Sequence, residues 1–373
     1  MKKRPQVPSP TLHRRKTLTD LARELKVDVS TISLALRDSR KVSTAMKAKI
    51  RALANRRGYV PNAHARALAG GRSSLLGVVL PCAGIPFYST MLDLLYEEAQ
   101  RRGLRVEAQF HQWDAEREIS SMRSMIEHRA EGIVSFSSFE NPPEILQEEL
   151  FRDAGIPISF WGRQPNGLQE LKDYIRGFVT TDVRLGAKLS AEHLLGLGHR
   201  RIALLLFDRG GWLGREKTSG ITAAMKAYPD AELVPVYLPA SFPKTLQGAM
   251  RTFEAGAFVA REFLELDPLP TAVMTTDDTA AQVLMAVLHQ HGLRVPEDVS
   301  IASSGNTYYS QYGAVPLSCI NVPFGLVSEK LVELVTGPPA EGNRREYAIE
   351  PHFVSRSSTA RLVRQKEKER SIA

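Results

Sequence analysis

The sequence predicts an α/β protein with a helix-turn-helix head and a hinge helix at the N-terminus, followed by two doubly wound parallel-sheet lobes. Three observations carry this prediction. Helical periodicity is confined to short capped segments up to Arg57, whereas from Leu75 onward buried-strand runs alternate with helical patterns. Such alternation means parallel sheets. The chain has 373 residues, more than one ordinary core organises, so the alternating region divides into two lobes. Charge is segregated: residues 1–75 hold 18 Lys and Arg against 4 Asp and Glu, whereas the rest holds 31 basic against 37 acidic residues. A strongly basic module on a mildly acidic body points to a polyanion-binding head.

The expected boundaries are a disordered basic extension at 1–16, the head at 17–61, the hinge and linker at 62–74, the two-lobed core at 75–362 and a charged tail at 363–373. The composition, 43% hydrophobic and 24% charged, is that of a soluble globular protein. Cys82 and Cys319 are far apart and lack metal-ligand spacing, which argues against a disulfide framework or zinc site and fits a reducing cytoplasm. The basic N-terminus has no apolar run behind it, so no secretory signal is expected. No window approaches the ~18 uninterrupted apolar residues of a membrane span.

In the head, Thr17-Leu-Thr-Asp20 has the spacing of a capping box, and Leu18, Leu21, Ala22 and Leu25 follow on one helical face. The helix breaks at Lys26-Val27. Asp28 is placed to cap a second helix, 29–36, with Ile32 and Leu36 on its apolar side. Ser43 caps a third, 44–57, with the stripe Met46, Ile50, Leu53 and Ala54, and Gly58 ends it. Two short helices around a tight turn, closed by a third, form a helix-turn-helix. The outward residues of the second helix, Val29, Ser30, Ser33 and Arg37, are small or hydrogen-bonding, as a helix pressed into a major groove requires.

Between Pro61 and the Gly70-Gly71 pair, the stretch NAHARALA reads as a helix of about two turns. Helices shorter than roughly 12–15 residues are marginal in water. This one has a face of small residues, Ala63, Ala65, Ala67 and Ala69, and one large apolar side chain, Leu68. Leu68 has two readings at this point: it packs on the body, or it wedges into a DNA minor groove.

In the body, strands are expected at 75–81, 104–110, 132–137, 156–162, 177–182, 201–207, 233–238, 271–276 and 299–304, the last being the final core strand. Helices are expected at 88–102, 116–128, 143–154, 184–197, about 218–228, 256–266, 279–291 and 327–335.

The stretch TLTDLARELKVDVSTISLALRDSRKVSTAMKAKIRALANRRGYVPNAHARALAGGRSSLLGVVLP resembles the DNA-binding head and hinge of the lactose-repressor/galactose-repressor family of bacterial transcription regulators. DVRLGAKLSAEHLLGLGHRRIALLL, GLRVPEDVSI and the late VSRSST are similar to later family motifs, so the resemblance spans roughly residues 17–362. It implies a periplasmic-binding-protein-like core that binds a small effector between its lobes, and a homodimer on a pseudo-palindromic operator. It implies that Val29 and Ser30 read bases, with Ser33, Leu34 and Arg37 behind them. Thr17, Thr31 and Ser43 would anchor phosphates. Two hinge helices would pair in the minor groove through faces that include Ala65, with Asn62 and Arg66 reaching groove or backbone and Leu68 as the wedge.

For the effector cleft, the resemblance implies Phe87 and Tyr88 as stacking aromatics and Trp161, Asp182 and Asp277 at strand ends. Asp182 also reads as the N-cap of the next helix, and both roles can hold; Asp277 and Asp278, a polar pair at a lobe-two strand end, have an equally good reading as caps. Four positions depart from the family pattern. Lys26 replaces a turn glycine, and Leu34 stands where Arg is common. Lys217 replaces a clamping Arg, which keeps the charge and loses the planar fork. Gly305 replaces an Asp anchor, with Asn306 the nearest polar substitute. An ordinary hexose therefore fits poorly, and a modified or charged sugar, a larger glycan fragment or no small effector at all stay open.

Gly196-Leu-Gly198 lacks the third glycine of a dinucleotide loop, and Ser135, Ser137 and Ser138 lack a nucleophile elbow. No cofactor and no enzymatic activity are expected. The leading expectation is a cytoplasmic, dimeric, ligand-responsive repressor. The alternatives are a DNA-binding regulator whose core answers to a protein partner and a sugar receptor with no DNA role.

Overall fold

The computed structural model describes residues 16–59, 73–137, 149–162, 174–207, 211–239, 241–242, 248–338 and 346–362. It divides into two compact units, Met1–Ser73 and Ser74–Ala373. The extension, the hinge residues 62–72 and the tail lie outside the described residues.

In the first unit, α1 (Leu18–Leu25) opens with the expected capping box: the Thr17 hydroxyl accepts from the Asp20 N–H, and the Asp20 carboxylate accepts from the Thr17 N–H. Lys26 ends the helix at φ 52°, ψ 45°, the left-handed conformation that a turn glycine normally supplies. Asp28 stands at the N-cap of α2 (Val29–Leu36), though its side chain makes no cap hydrogen bond. Ser43 does cap α3 (Thr44–Arg56), accepting from the Met46 N–H. Leu21, Ala22, Ile32, Ala35, Val42, Ile50, Leu53 and Ala54 form the core. Large members such as Leu21, Ile32 and Ile50 each contribute about 1.5–3 kcal/mol by burial. Two polar clasps close the bundle: Glu24 takes a two-pronged bond from Arg57 at 3.0 Å on each oxygen, and Asp38 pairs with Lys47 and Arg51.

In the second unit the lobe-one sheet contains β1 (Leu75–Leu80), β2 (Arg105–Phe110), β3 (Gly132–Phe136), β4 (Ile158–Trp161), β5 (Ile175–Thr181) and β11 (Glu346–Ile349). Its order is β11-β5-β4-β3-β1-β2, parallel throughout. Lobe two contains β6 (Arg201–Leu206), β7 (Glu232–Tyr237), β8 (Ala272–Met274), β9 (Ser300–Gly305), β10 (Ser318–Asn321) and β12 (His352–Val354). Its order is β12-β10-β9-β8-β6-β7, with only β12 antiparallel. All six residues of β1 are buried, as an inner parallel strand covered on both faces requires.

The helices between strands are α4 (Pro86–Arg101), α5 (Ala115–Glu127), α6 (Glu149–Ala154), α7 (Val183–Gly196), α8 (Trp212–Met225), α9 (Gly248–Leu264), α10 (Asp278–Gln290), α11 (Tyr308–Tyr312) and α12 (Phe324–Thr336). The chain passes between lobes three times: after β5, after β10, and between β11 and β12. Helix α12 returns to lobe one, where Val327, Leu331, Val332 and Val335 join the core of Leu76, Val78 and Leu80.

Three expectations are corrected. The strand at 299–304 is not the last in the core, because β10 lies beside β9 and is mostly buried. Its four residues, Ser-Cys-Ile-Asn, are too few and too polar to show a strand period. Helix α8 begins at Trp212 rather than near Thr218, and α9 at Gly248 rather than Gly256. Their openings, Trp-Leu-Gly-Arg-Glu-Lys in α8 and Gly-Ala-Met-Arg-Thr in α9, mix apolar and polar residues, so no apolar stripe marks them in the sequence. Among the described residues no helix is long and apolar enough to cross a membrane.

Candidate functional site

The head presents one polar face. Val29, Ser30 and Arg37 are exposed. Thr31 and Ser33 are half-buried beside them. Arg37 lies back along its own helix, donating to the Ser33 hydroxyl at 3.1 Å and the Ser33 carbonyl at 3.3 Å. Leu34 is half-buried too and packs against the head's core. The Thr17 and Ser43 hydroxyls are exposed at the N-termini of α1 and α3, where backbone N–H groups and the helix dipole favour an anion. Asn62, Ala65, Arg66 and Leu68 lie outside the described residues.

Within the second unit a cavity of about 590 Å³ opens at the carboxyl ends of both sheets. This is where doubly wound sheets place ligands, beside the points at which strand order reverses. Those points fall between β1 and β3 in one lobe and between β6 and β8 in the other. Six of the seven expected effector residues line the cavity: Phe87, Tyr88, Trp161, Asp182, Lys217 and Asp277.

The lobe-one wall is aromatic. Phe87 and Tyr88, at the start of α4, sit edge-to-face at 5.3 Å. Phe87 also meets Trp161 at 5.8 Å, and Trp161 stacks on Phe136 at 6.2 Å. Trp113 meets Tyr88 at 6.1 Å. Burial, reinforced by the charge of Asp277, pushes the Tyr88 phenol above its ordinary value, so the wall stays neutral at physiological pH.

The lobe-two wall is polar. Lys217 on α8 is 6% exposed, and its ammonium donates to the carbonyls of Thr275 at 3.3 Å and Thr276 at 3.1 Å and to the Ser304 hydroxyl at 3.5 Å. Burial lowers its pKa to about 8, against the opposing pull of Asp277 and Asp278. Asp182 and Asp277 line the cavity and also cap helices. Asp182 accepts from the Leu185 N–H at 2.8 Å, and Asp277 from the Ala280 N–H at 2.9 Å and the Thr276 hydroxyl at 3.1 Å. Burial raises the Asp277 pKa. Asp278 has a structural post, accepting from Ser303 and from both the N–H and hydroxyl of Thr307.

Asn306 is the expected site residue that the fold places elsewhere. Gly305 at φ 138° and Asn306 at φ 63° turn the chain at the end of β9. The Asn306 amide then bonds Asn321 at 2.8 Å and accepts from Arg356 at 2.6 Å, and it is not among the cavity residues. Trp113, Phe136 and Trp212 line the cavity and were not anticipated. Phe136 had a readable signal as the last residue of β3. Trp113 had none, because its place depends on a left-handed turn. Among the described residues no group of His, Cys, Asp and Glu is arranged to hold a metal ion.

Residues 17–62 match the family model described as bacterial regulatory proteins, lacI family, and residues 191–359 match the periplasmic binding protein-like domain. The chain is similar to the transcriptional regulator DegA of Bacillus subtilis, at 25% identity over 349 residues, covering 93% of this chain and 98% of DegA. It is similar to the transcriptional repressor PurR of Vibrio parahaemolyticus at 26% identity, covering 93% and 99%. The fold is that of the Lac repressor bound to ONPG, with TM-score 0.75 at 21% identity over 93% of this chain and 100% of that one. The chain thus joins a lacI-family helix-turn-helix head to a periplasmic-binding-protein-like domain, the arrangement of the transcriptional regulators that it is similar to along nearly its whole length.

Proposed function

We propose that the protein is a cytoplasmic repressor that binds a pseudo-palindromic operator as a homodimer and answers to a sugar or sugar derivative held between its lobes. The observation that carries this reading is the joining, in one chain, of an outward polar recognition helix and a cavity lined by both lobes. Solved structures of the same fold include a Lac repressor dimer bound to operator and the regulator CelR in complex with cellobiose. In this reading Val29 and Ser30 read base edges, with Thr31, Ser33, Leu34 and Arg37 in support, and Thr17 and Ser43 hold phosphates. Leu68 wedges into the central minor-groove step, flanked by Asn62, Ala65 and Arg66.

Because the cavity is lined by both lobes, a ligand that binds one lobe arrangement better shifts the population toward it and so changes the spacing of the heads. Its leverage is limited to its differential affinity for the two arrangements. Phe87, Tyr88 and Trp161 supply apolar contact, and Lys217, Asp182 and Asp277 supply polar recognition. A second reading, in which a protein partner replaces the small ligand, draws support from the scarcity of unengaged carboxylate oxygens in the cavity. The deciding experiment for the DNA role is the affinity for a palindromic operator against random DNA across a salt series. A steep fall of log affinity with log salt, with a preference for the palindrome, is expected. A flat slope, or equal affinity for both DNAs, overturns the proposal.

A further inference from the structure

The chain has three tryptophans, and all three, Trp113, Trp161 and Trp212, line the one cavity described above. Trp161 is packed on two sides by Phe87 and Phe136. Trp113 differs. Among the described residues its aromatic contact is with Tyr88, which is also its side-chain hydrogen-bond partner, and it is half-buried at the cavity wall.

Trp113 is also held in a costly conformation. It sits at φ 59° directly after Gln112 at φ 56°. A bulky side chain in the left-handed region is an outlier, and such conformations persist where the surroundings over-determine them, often at ligand clamps. The surroundings here do so. The His111 N–H donates to the Leu80 carbonyl, the Gln112 N–H to Pro81 and the Asp114 N–H to His111, each at 2.9 Å. The His111 Nε2 lies 3.0 Å from the Phe136 carbonyl. The turn is thus tied to the carboxyl ends of β1 and β3, the strands flanking the lobe-one switch point.

We propose that Trp113 is a ligand-contacting, specificity-determining residue: its indole is the platform for a ring in the effector that has one bare apolar face. The other edge of that ring meets the polar lobe-two wall of Lys217 and Ser304. The shared chemistry is that of a sugar ring's C–H face or a planar heterocycle. This inference rests on the reading of the cavity as the effector site.

The test uses the full-length protein and its variants Trp113→Ala, Trp113→Phe, Lys217→Met and Asp182→Asn. Calorimetric titration with D-ribose, cellobiose, D-glucuronate and hypoxanthine measures binding, and circular dichroism checks the fold. The expected result is that at least one probe binds the parent, that Trp113→Phe stays within about threefold, and that Trp113→Ala weakens binding tenfold or more. Saccharide binding identifies the C–H face and hypoxanthine binding the heterocycle. Equal binding by Trp113→Ala overturns the role of Trp113 while leaving the cavity reading intact. Binding that survives Trp113→Ala, Lys217→Met and Asp182→Asn alike lies outside the cavity and overturns that reading. Silence of every probe with the parent overturns the ring class.

Discussion

A Cβ built on Gly305 would stand 2.8 Å from the Asp278 carboxylate oxygen that accepts from Thr307, closer than real Cβ contacts come. The residue also sits at φ 138°, a conformation that L side chains rarely adopt. The acid that the resemblance implies at this position would thus be strained and would crowd the Asp278 carboxylate.

Gly305→Asp is accordingly expected to destabilise the core rather than restore a sugar anchor. Backbone strain, the steric approach and repulsion between two carboxylates together cost about 2–4 kcal/mol. Thermal unfolding checks this, and a lowering of the midpoint by several degrees is the expected outcome. An unchanged midpoint would mean that the β9 turn relaxes freely.

Lys217 gives the core a distinctive pH dependence. Its folded pKa is lowered from 10.5 to about 8 by burial. Between those two values the unfolded chain holds a proton that the folded chain has released, so stability from this group rises with pH. The cost of burying the ammonium is full below about pH 8 and is relieved as pH climbs toward 10.5. Lys217→Met should remove that rise, on the order of 3 kcal/mol at most. Urea unfolding of parent and variant at pH 7.5 and 9.5 measures the difference, and parallel curves would refute it.

Lys26→Gly should stabilise the head by roughly 0.5–1 kcal/mol. The left-handed turn costs Lys about 1–2 kcal/mol, and glycine gives back part of that gain as unfolded-state entropy. Hydrogen exchange of the α1 and α2 amides in the full chain reports the change. Slower exchange in the variant is expected, and faster exchange contradicts the strain.

Ser30→Ala should alter base preference at one position of each half-site by about tenfold, within the range of a single base contact. The salt slope should stay the same, because no phosphate contact is lost. Binding to operators randomised at single positions separates the two effects. A uniform loss across all sequences would assign Ser30 to the backbone instead.

Leu68→Ala should weaken operator binding and reduce DNA bending with the fold unchanged. The residue lies outside the described part of the chain, so this prediction rests on the hinge sequence and its resemblance. Fluorescence transfer between the ends of a labelled operator measures the bend. Equal bending by variant and parent would remove Leu68 from the groove.

Local features were the legible ones. The capping box at Thr17 and Asp20, the Ser43 cap and the apolar stripes of the head's three helices are short-range patterns, and the structure places them where the spacing predicts. Trp161, Asp182 and Asp277 were legible as cavity residues because ligands gather at the carboxyl ends of parallel strands, and strand ends can be counted along the chain; Phe87 and Tyr88, which open a helix, came from the family resemblance instead. Asn306 came from the resemblance, as the polar residue nearest the expected acid at Gly305, and two successive positive φ angles carry its amide to Arg356 and Asn321. Strand β10 was missed because burial, not pattern, makes it a strand.

The sequence by itself determined the division into basic head and acidic body, the alternation that demands parallel sheets, and the glycine at 305 where an acid was expected. Periodicity, caps and charge act within a few residues, so they can be read along the chain. The tertiary structure decided which side chains share the cavity and in what state. It seated Lys217 on main-chain carbonyls with a pKa near 8, and it brought Trp113 in through a turn tied to β1 and β3. Burial, long-range hydrogen bonds and left-handed backbone depend on residues distant in sequence, which is why only the folded chain could settle them.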